Sequence, residues 1–379
     1  MRRPVVLGLA LVGALFAAAP RSTVQVARAN AVDKVPAAPA TLAVAHGALD
    51  ATTTEVGLVT VGLGSGTPTL APVGSVEHVR GSAVRGAVLG AAVLVAVEEP
   101  GPKGTSYAGA LHRLDATGAQ RLCGGLTRAT GPLVVGGRVL VSRGTDGPEP
   151  TPGPATEALA LRADALTIDE VDPATGTTRT LWSGVGYQAF LAGALGHEAF
   201  VYLSQASGAS LFALDVATGA VRKLGAVAPF ARDFSVDPVR KALVFADLAV
   251  ADRWQVQSLD LGSGARTVLL ETQGDHPMPF ALAGGDVVLS SDGDHGLLRL
   301  ARTAVVRQNL LSPAGDGSDA ATHEEGRWLA VRHTPTTRFR GSRAPSLIVV
   351  DVDTGQFVPV DVPLGHFVQS LGFLRGGAS

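Results

Sequence analysis

Apolar runs of four to six residues recur along this chain, each followed by a polar turn and a second short run. "RVLVS", "AFVYL", "ALVFA", "DVVLS" and "WLAVR" are rich in Val and Leu and barely alternate. Runs of this length predict strands rather than helices, and the missing alternation predicts strands covered on both faces. A sustained helical stripe is absent beyond the N-terminal segment, with "TEALALRADAL" at 156–166 the one exception worth testing. A parallel α/β sheet needs such helices between its strands, so the pattern points to an all-β fold.

The turns repeat as well. "LHRLDATGAQRL" (111–122), "IDEVDPATGTTRTL" (168–181), "LFALDVATGAVRKL" (211–224), "VQSLDLGSGARTVL" (256–269) and "LIVVDVDTGQFVPV" (347–360) share a strand closed by Asp, a short turn ending in Gly, and a return strand. Two degenerate copies, "GLVTVGLGSGTPTL" (57–70) and "LLRLARTAVVRQNL" (297–310), bring the number to seven. Asp115, Asp172, Asp215, Asp260 and Asp351 are placed to accept hydrogen bonds from backbone N–H groups just ahead, so they read as turn caps and not as catalytic acids. The glycines that follow supply a positive φ. From Gly66 to Gly355 the spacing averages about 48 residues, within the range of propeller blades of four strands each.

"THEEGRWLAV" followed by "LIVVDVDTGQ" resembles the TolB-like, or WD40-like, propeller repeat. That family reads Ser-Pro-Asp-Gly, a basic-apolar strand, then a strand closed by Asp-x-x-Thr-Gly. Here the first turn has become His323-Glu324-Glu325-Gly326, Ser235-Val236-Asp237-Pro238, or glycine pairs such as Gly284-Gly285. The resemblance covers most of residues 42–379 and implies a fold; the family offers no shared catalytic residues to carry over. The expected architecture is an all-β, seven-bladed β-propeller of four-stranded antiparallel blades. "TLAVAHG", "GLVTVGL" and "PTLAPV" leave the first blade one strand short, and "HFVQSLGFL" (366–374) is an orphan strand at the other end. The C-terminal strand is therefore expected to join the N-terminal blade and close the ring, leaving no unpaired edge.

Composition refines this picture. Of the 379 residues, 46% are hydrophobic and 17% charged, a balance that favours folding over disorder. The 47 glycines and 23 prolines suit many tight turns. A net charge of −2 gives no basic field for nucleic acid. Arg2 and Arg3, the apolar run Val5–Ala19 and Ala27-Arg28-Ala29 make a secretory signal peptide over 1–29, with a linker over 30–40 and the propeller over 41–379. Export, to periplasm or medium, with no membrane span left after cleavage, is the expectation. The single cysteine, Cys123, excludes an internal disulfide and reads as a small buried hydrophobe.

Candidate chemistry falls in two places. Polar residues near the starts of inner strands converge on one channel mouth: Glu77, His78, Tyr187, Asp233, Asp275, His276, Asp319 and His366. Carboxylates and imidazoles gathered from separate strands hold a cation or act as an acid–base pair; a solvated channel needs the same residues for nothing more. Asp292 and Asp294 in "SSDGDHG" make half of a calcium loop and loosely resemble the sialidase Asp-box, against the reading of a polar hairpin tip. Long links at 98–109, 143–164 and 332–345 decorate one sector of one face, where binding residues concentrate. Arg332, Arg338, Phe339, Arg340 and Arg343 in the last of these suit an acidic or anionic partner.

Nucleophile-elbow, H-E-x-x-H, P-loop and C-x-x-C motifs are absent from the sequence. A propeller-plus-hydrolase arrangement needs a further domain after the ring, and the chain stops at Ser379. The expected function is a non-enzymatic binding scaffold for a protein or anionic ligand; the alternative is a hydrolase or lyase at the channel mouth. No cofactor is implied, though a divalent cation is compatible with the mouth residues.

Overall fold

The computed structural model describes residues 37–374, apart from 65–67, 102–104, 128–129, 149–161, 251, 275, 292–296, 302–306, 310–316, 335, 338–340, 343–345 and 364. The expected signal peptide, Asp292 and Asp294 of the calcium-like loop, and Arg338, Arg340 and Arg343 of the arginine-rich link thus lie outside the described residues. The described residues form strands and turns without a helix. Of the one helix-like stretch, 156–161 are outside them, and its end enters the strand Asp164–Val171.

Sheet I is built from both ends of the chain. Its order is Ala71–Glu77, Thr53–Val61, Ala40–Ala48, then His366–Leu374. Leu42 faces Phe373 and Ala45 faces Gln369 across an antiparallel ladder. Sheet II holds two four-strand halves. The first half is Arg85–Leu89, Ala92–Glu98, Gly109–Asp115 and Gly118–Leu126; the second is Leu133–Val135, Arg138–Thr145, Asp164–Val171 and Thr178–Gly186. One pairing, Leu126 with Arg143, joins them into eight strands. This departs from the expectation of separate four-stranded units. The cause is local: Arg143 also donates from Nε to the Gly124 carbonyl at 2.7 Å and pairs through Nη1 with Asp169 at 2.8 Å, bridging the halves.

Four further four-stranded sheets follow in order along the chain. Sheet III runs Gln188–Leu195, Glu198–Gln205, Gly208–Asp215 and Val221–Val227. Sheet IV runs Arg232–Asp237, Ala242–Val250, Arg253–Asp260 and Arg266–Gln273. Sheet V runs Pro277–Ala281, Val287–Ser291, Leu298–Leu300 and Arg307–Asn309. Sheet VI runs Gly317–Glu325, Trp328–Thr334, Ser346–Asp351 and Phe357–Val360.

The turns form as the repeat predicts. The Asp215 carboxylate accepts from the N–H groups of Ala217 and Thr218 at 2.9 and 2.8 Å, and Asp260 does the same for Gly262 and Ser263. Gly219, Gly264 and Gly355 sit at φ 76°, 72° and 73° and donate back to the carbonyl of the opening Asp. These hydrogen bonds hold the carboxyls of Asp115, Asp172, Asp215 and Asp260 below their ordinary acidity range.

The core lies between sheets. Central strands are apolar on both faces, as in Ala92–Val97 and Ala242–Ala246, because each sheet has a neighbour on either side. Phe200 and Leu211 of sheet III pack with Leu243 and Phe245 of sheet IV. Val244 and Val256 then meet Val287 and Leu289 of sheet V. Val288 and Leu297 meet Leu329 and Val350 of sheet VI. Trp328 and Val349 of sheet VI meet Leu42, Val44 and Val368 of sheet I, so the last sheet packs on the first.

Candidate functional site

Three side-chain clusters gather where inner strands of the sheets begin.

The first lies between sheets I, II and VI. After the outer strand Ala71–Glu77, the chain crosses to the first strand of sheet II through residues 78–84. His78 straps this crossing. Its Nδ1 donates to the Val79 carbonyl at 2.8 Å, and its Nε2 shares a 2.7 Å hydrogen bond with the Thr54 hydroxyl. Ser82 accepts from the Glu98 N–H at 2.8 Å and donates to the Ala83 carbonyl. Arg85 then opens the inner strand. A Cβ at Gly86 would stand 2.6 Å from the Leu94 carbonyl and 2.8 Å from Leu371, so only glycine permits this approach of the two inner strands. The approach brings Phe367 and Gln369 beside Arg85.

Arg332, near the end of Trp328–Thr334, completes the wall of a cavity of about 260 Å³. Its other walls include Leu49, Phe367 and Gln369, and among the described residues no Asp or Glu lines it. Arg85 keeps contact with water, yet protein crowds it and lowers its affinity for its proton. Arg332 is lowered likewise, by burial first and by the charge of Arg85 second. Two guanidiniums thus share one space. In the ladder Arg332 stands opposite Asp319.

The second cluster joins the chain ends. His46 and His366 approach Nδ1 to Nδ1 at 3.2 Å, and His46 Nε2 lies 3.6 Å from Glu55. One imidazole must donate and the other accept, so this contact requires at least one neutral ring. Burial depresses the His46 pKa, Glu55 opposes that, and His366 adds to it.

The third cluster spans sheets III, IV and V. His276 Nε2 stands 2.7 Å from Asp233 Oδ2, and among the described residues these two buried atoms have no other polar partner. His276 packs on Trp254 at 4.3 Å between ring centres, and the Arg232 guanidinium covers Trp254 at 4.5 Å. Asp233 has φ 55°, an uncommon conformation for a residue with a side chain.

The structure brings together Asp233 with His276, and His78, Arg332 and the neighbours of His366 around one cavity. It corrects the placement of Glu77, which is exposed at the end of an outer strand rather than at the start of an inner one. It also gives His78 a structural part, since both ring nitrogens are engaged by protein. Tyr187 donates its backbone N–H to Ser204 just ahead of Gln188–Leu195. Asp275, Asp292, Asp294, Arg338, Phe339, Arg340 and Arg343 lie outside the described residues, and Asp319 is described by its backbone alone. Among the described residues no three His, Cys, Asp or Glu side chains come together as a metal site. Cys123 is buried, and burial pushes its thiol pKa up, away from reactivity. Sequence reading passed over Arg85, Arg232 and Trp254. Arg85 was legible as a charge ahead of "GAVL"; the stacking of Arg232 on Trp254 joins two strands and has no local signature.

At the other end of the inner strands, Val88, Leu89, Val135, Ala194 and Phe373 line a cavity of about 610 Å³ among hairpin glycines, with no charged side chain in its wall.

Comparison with known proteins places the fold. No protein-family model matches the chain, and no curated protein does. Acylaminoacyl peptidase from Pyrococcus horikoshii aligns over 86% of this chain and 52% of its own, at 12% identity and TM-score 0.54. The β-propeller domain of the trilobed protease from Pyrococcus furiosus aligns over 74% of this chain and 84% of its own, at 10% identity and TM-score 0.51. TolB from Acinetobacter baumannii aligns over 88% of this chain and 66% of its own, at 11% identity and TM-score 0.44. The chain thus spans about half the length of the peptidase and two thirds of TolB. The all-β sheets described above are those of a β-propeller. At these identities the likeness is one of fold. No helix among the described residues is long and apolar enough to cross a membrane.

Proposed function

We propose that this β-propeller is an exported ring of seven four-stranded blades that binds an anionic group of a protein or small ligand on its long-link face. Several observations support the ring. The repeat occurs seven times, sheet II divides into two halves of four strands, and each sheet shares an apolar cluster with the next, including the last with the first. Pairing of His366–Leu374 with Ala40–Ala48 is the contact a closed ring needs. Export is supported by the charged start, apolar run and small-residue cleavage pattern over 1–29.

One observation carries the binding reading: Arg85 and Arg332 line a single cavity, and among the described residues no acid pairs with Arg85, whose Nη1 donates to the Val84 carbonyl at 3.0 Å. Guanidinium is always charged and its donors fit carboxylate and phosphate. Leu49, 71% exposed at the rim, and Phe367 offer apolar contact beside that charge. Arg332 opens the link at 332–345, and a long link beside the cavity is where a protein partner would add contacts.

Thermal denaturation with inorganic phosphate or succinate, against chloride at equal ionic strength, tests this. A ligand of the native state raises Tm by mass action. Wild type is expected to respond to one of the two anions, Arg85→Gln to lose that response, and Arg232→Gln to keep it. Absence of a response in wild type, or an equal one in Arg85→Gln, overturns the reading.

A further inference from the structure

We propose a second site, between sheets III and IV, for a ligand that joins a flat apolar body to one carboxylate. A cavity of about 440 Å³ is lined there by Gln188, Phe190, Tyr202, Phe230, Arg232 and Asp233. That volume lies within the range of roughly 300–1,000 Å³ typical of small-ligand pockets.

The wall is aromatic and rigid. Phe190 stacks on Tyr202 at 4.6 Å, and Phe234 tilts against both. The Tyr202 hydroxyl donates to the Pro229 carbonyl at 2.8 Å, so this ring offers the ligand its apolar surface and keeps its polar end occupied. Phe230 stands at the rim, 61% exposed. A large aromatic side chain held in water beside a cavity gains contact once that cavity is filled by an apolar group.

The charge is set by a division of labour at two adjacent residues. Asp233 would be the nearest counter-ion for Arg232, but its positive φ and the ladder irregularity between Arg232 and Ser235 accompany a carboxylate turned to His276 instead. Among the described residues no acid pairs with Arg232. Its guanidinium is held over the Trp254 face, which orders the side chain without consuming its N–H donors. One ordered cation beside an aromatic wall selects a carboxylate on an aromatic body. This site is distinct from the Arg85 cavity and stands whether or not that one binds anions.

Two sources carry this chemistry, a free aromatic acid and the carboxyl end of a peptide finishing in an aromatic residue. The probes are therefore 3-phenylpropionate for the first and N-acetyl-phenylalanine for the second. 3-Phenylpropanamide supplies the same body without charge, and propionate the head without the ring. Binding is followed by calorimetry and by intrinsic tryptophan fluorescence, since Trp254 lies beneath Arg232. At least one aromatic acid is expected to bind saturably, with the amide and propionate weaker by about tenfold or more. Arg232→Gln is expected to bring the acid down to the affinity of the amide and to leave the amide unchanged. Phe230→Ala, at an exposed position that folding tolerates, weakens acid and amide together. Arg85→Gln changes none of these. Tighter binding of N-acetyl-phenylalanine identifies a chain terminus as the ligand, and tighter binding of 3-phenylpropionate identifies a free acid. The proposal is overturned if neither acid binds at millimolar concentration, if the amide binds as well as the acid, or if Arg232→Gln leaves acid affinity intact.

Discussion

At the scale of single residues, the polar groups of this propeller divide into those spent on structure and those left for a ligand. His78 and the turn aspartates are spent; Arg85 gives one N–H to the Val84 carbonyl, and it and Arg232 line cavities. His46 is the residue whose titration should be felt by the whole fold. Its native pKa is depressed, chiefly by burial, so the unfolded chain takes up a proton more readily. Stability is then complete above the ordinary histidine pKa of about 6.5 and falls as pH drops below it. Thermal melts between pH 7.5 and about 5 should show this decline in wild type. His46→Gln should make it shallower, since glutamine does not titrate, and leave the part that His112, likewise depressed chiefly by burial, contributes. The turn aspartates act in a separate, more acidic window: their native pKa values are also depressed, so their contribution disappears only as pH falls below about 4.

At the scale of elements, the hairpin turns do two jobs. Gly176 has φ 75°, and a Cβ there would stand 2.4 Å from the Leu122 carbonyl of the preceding four-strand half of sheet II. Gly196 has φ 63° and open space around it. Gly196→Ala should cost about 1 kcal/mol through the backbone alone. Gly176→Ala should cost clearly more, because it also forces the two halves apart, and urea unfolding of the two variants measures the difference. Phe245 is fully buried between sheets III and IV, and Phe245→Ala should cost roughly 3–5 kcal/mol by the same measurement. The turn was legible in the sequence because its hydrogen bonds run between residues two to five apart. The single Leu126–Arg143 pairing that fuses sheet II was not, since it depends on where Arg143 meets Gly124 and Asp169. The misplacement of Glu77 has a related cause: a charged residue after an apolar run reads alike at the end of an outer strand and at the start of an inner one.

At the scale of the molecule, the strand His366–Leu374 is the piece on which the first sheet depends. Deleting it would expose the ladder edge of Ala40–Ala48 and the apolar surface of Leu42, Val44 and Ala45. A chain ending before His366 should therefore aggregate or unfold, as read by size-exclusion chromatography and circular dichroism. A monomer with unchanged Tm would count against ring closure. What the sequence determined by itself was local or additive: strands from apolar runs, capped turns from Asp and Gly at fixed offsets, and a repeat spacing suited to four-stranded blades. Only the tertiary structure decided which side chains meet. Arg85 shares a cavity with Arg332, Arg232 stacks on Trp254, and His46 touches His366 across 320 positions of sequence. Such contacts are made between sheets, where position is fixed by packing and not by the order of neighbouring residues, so no local pattern records them.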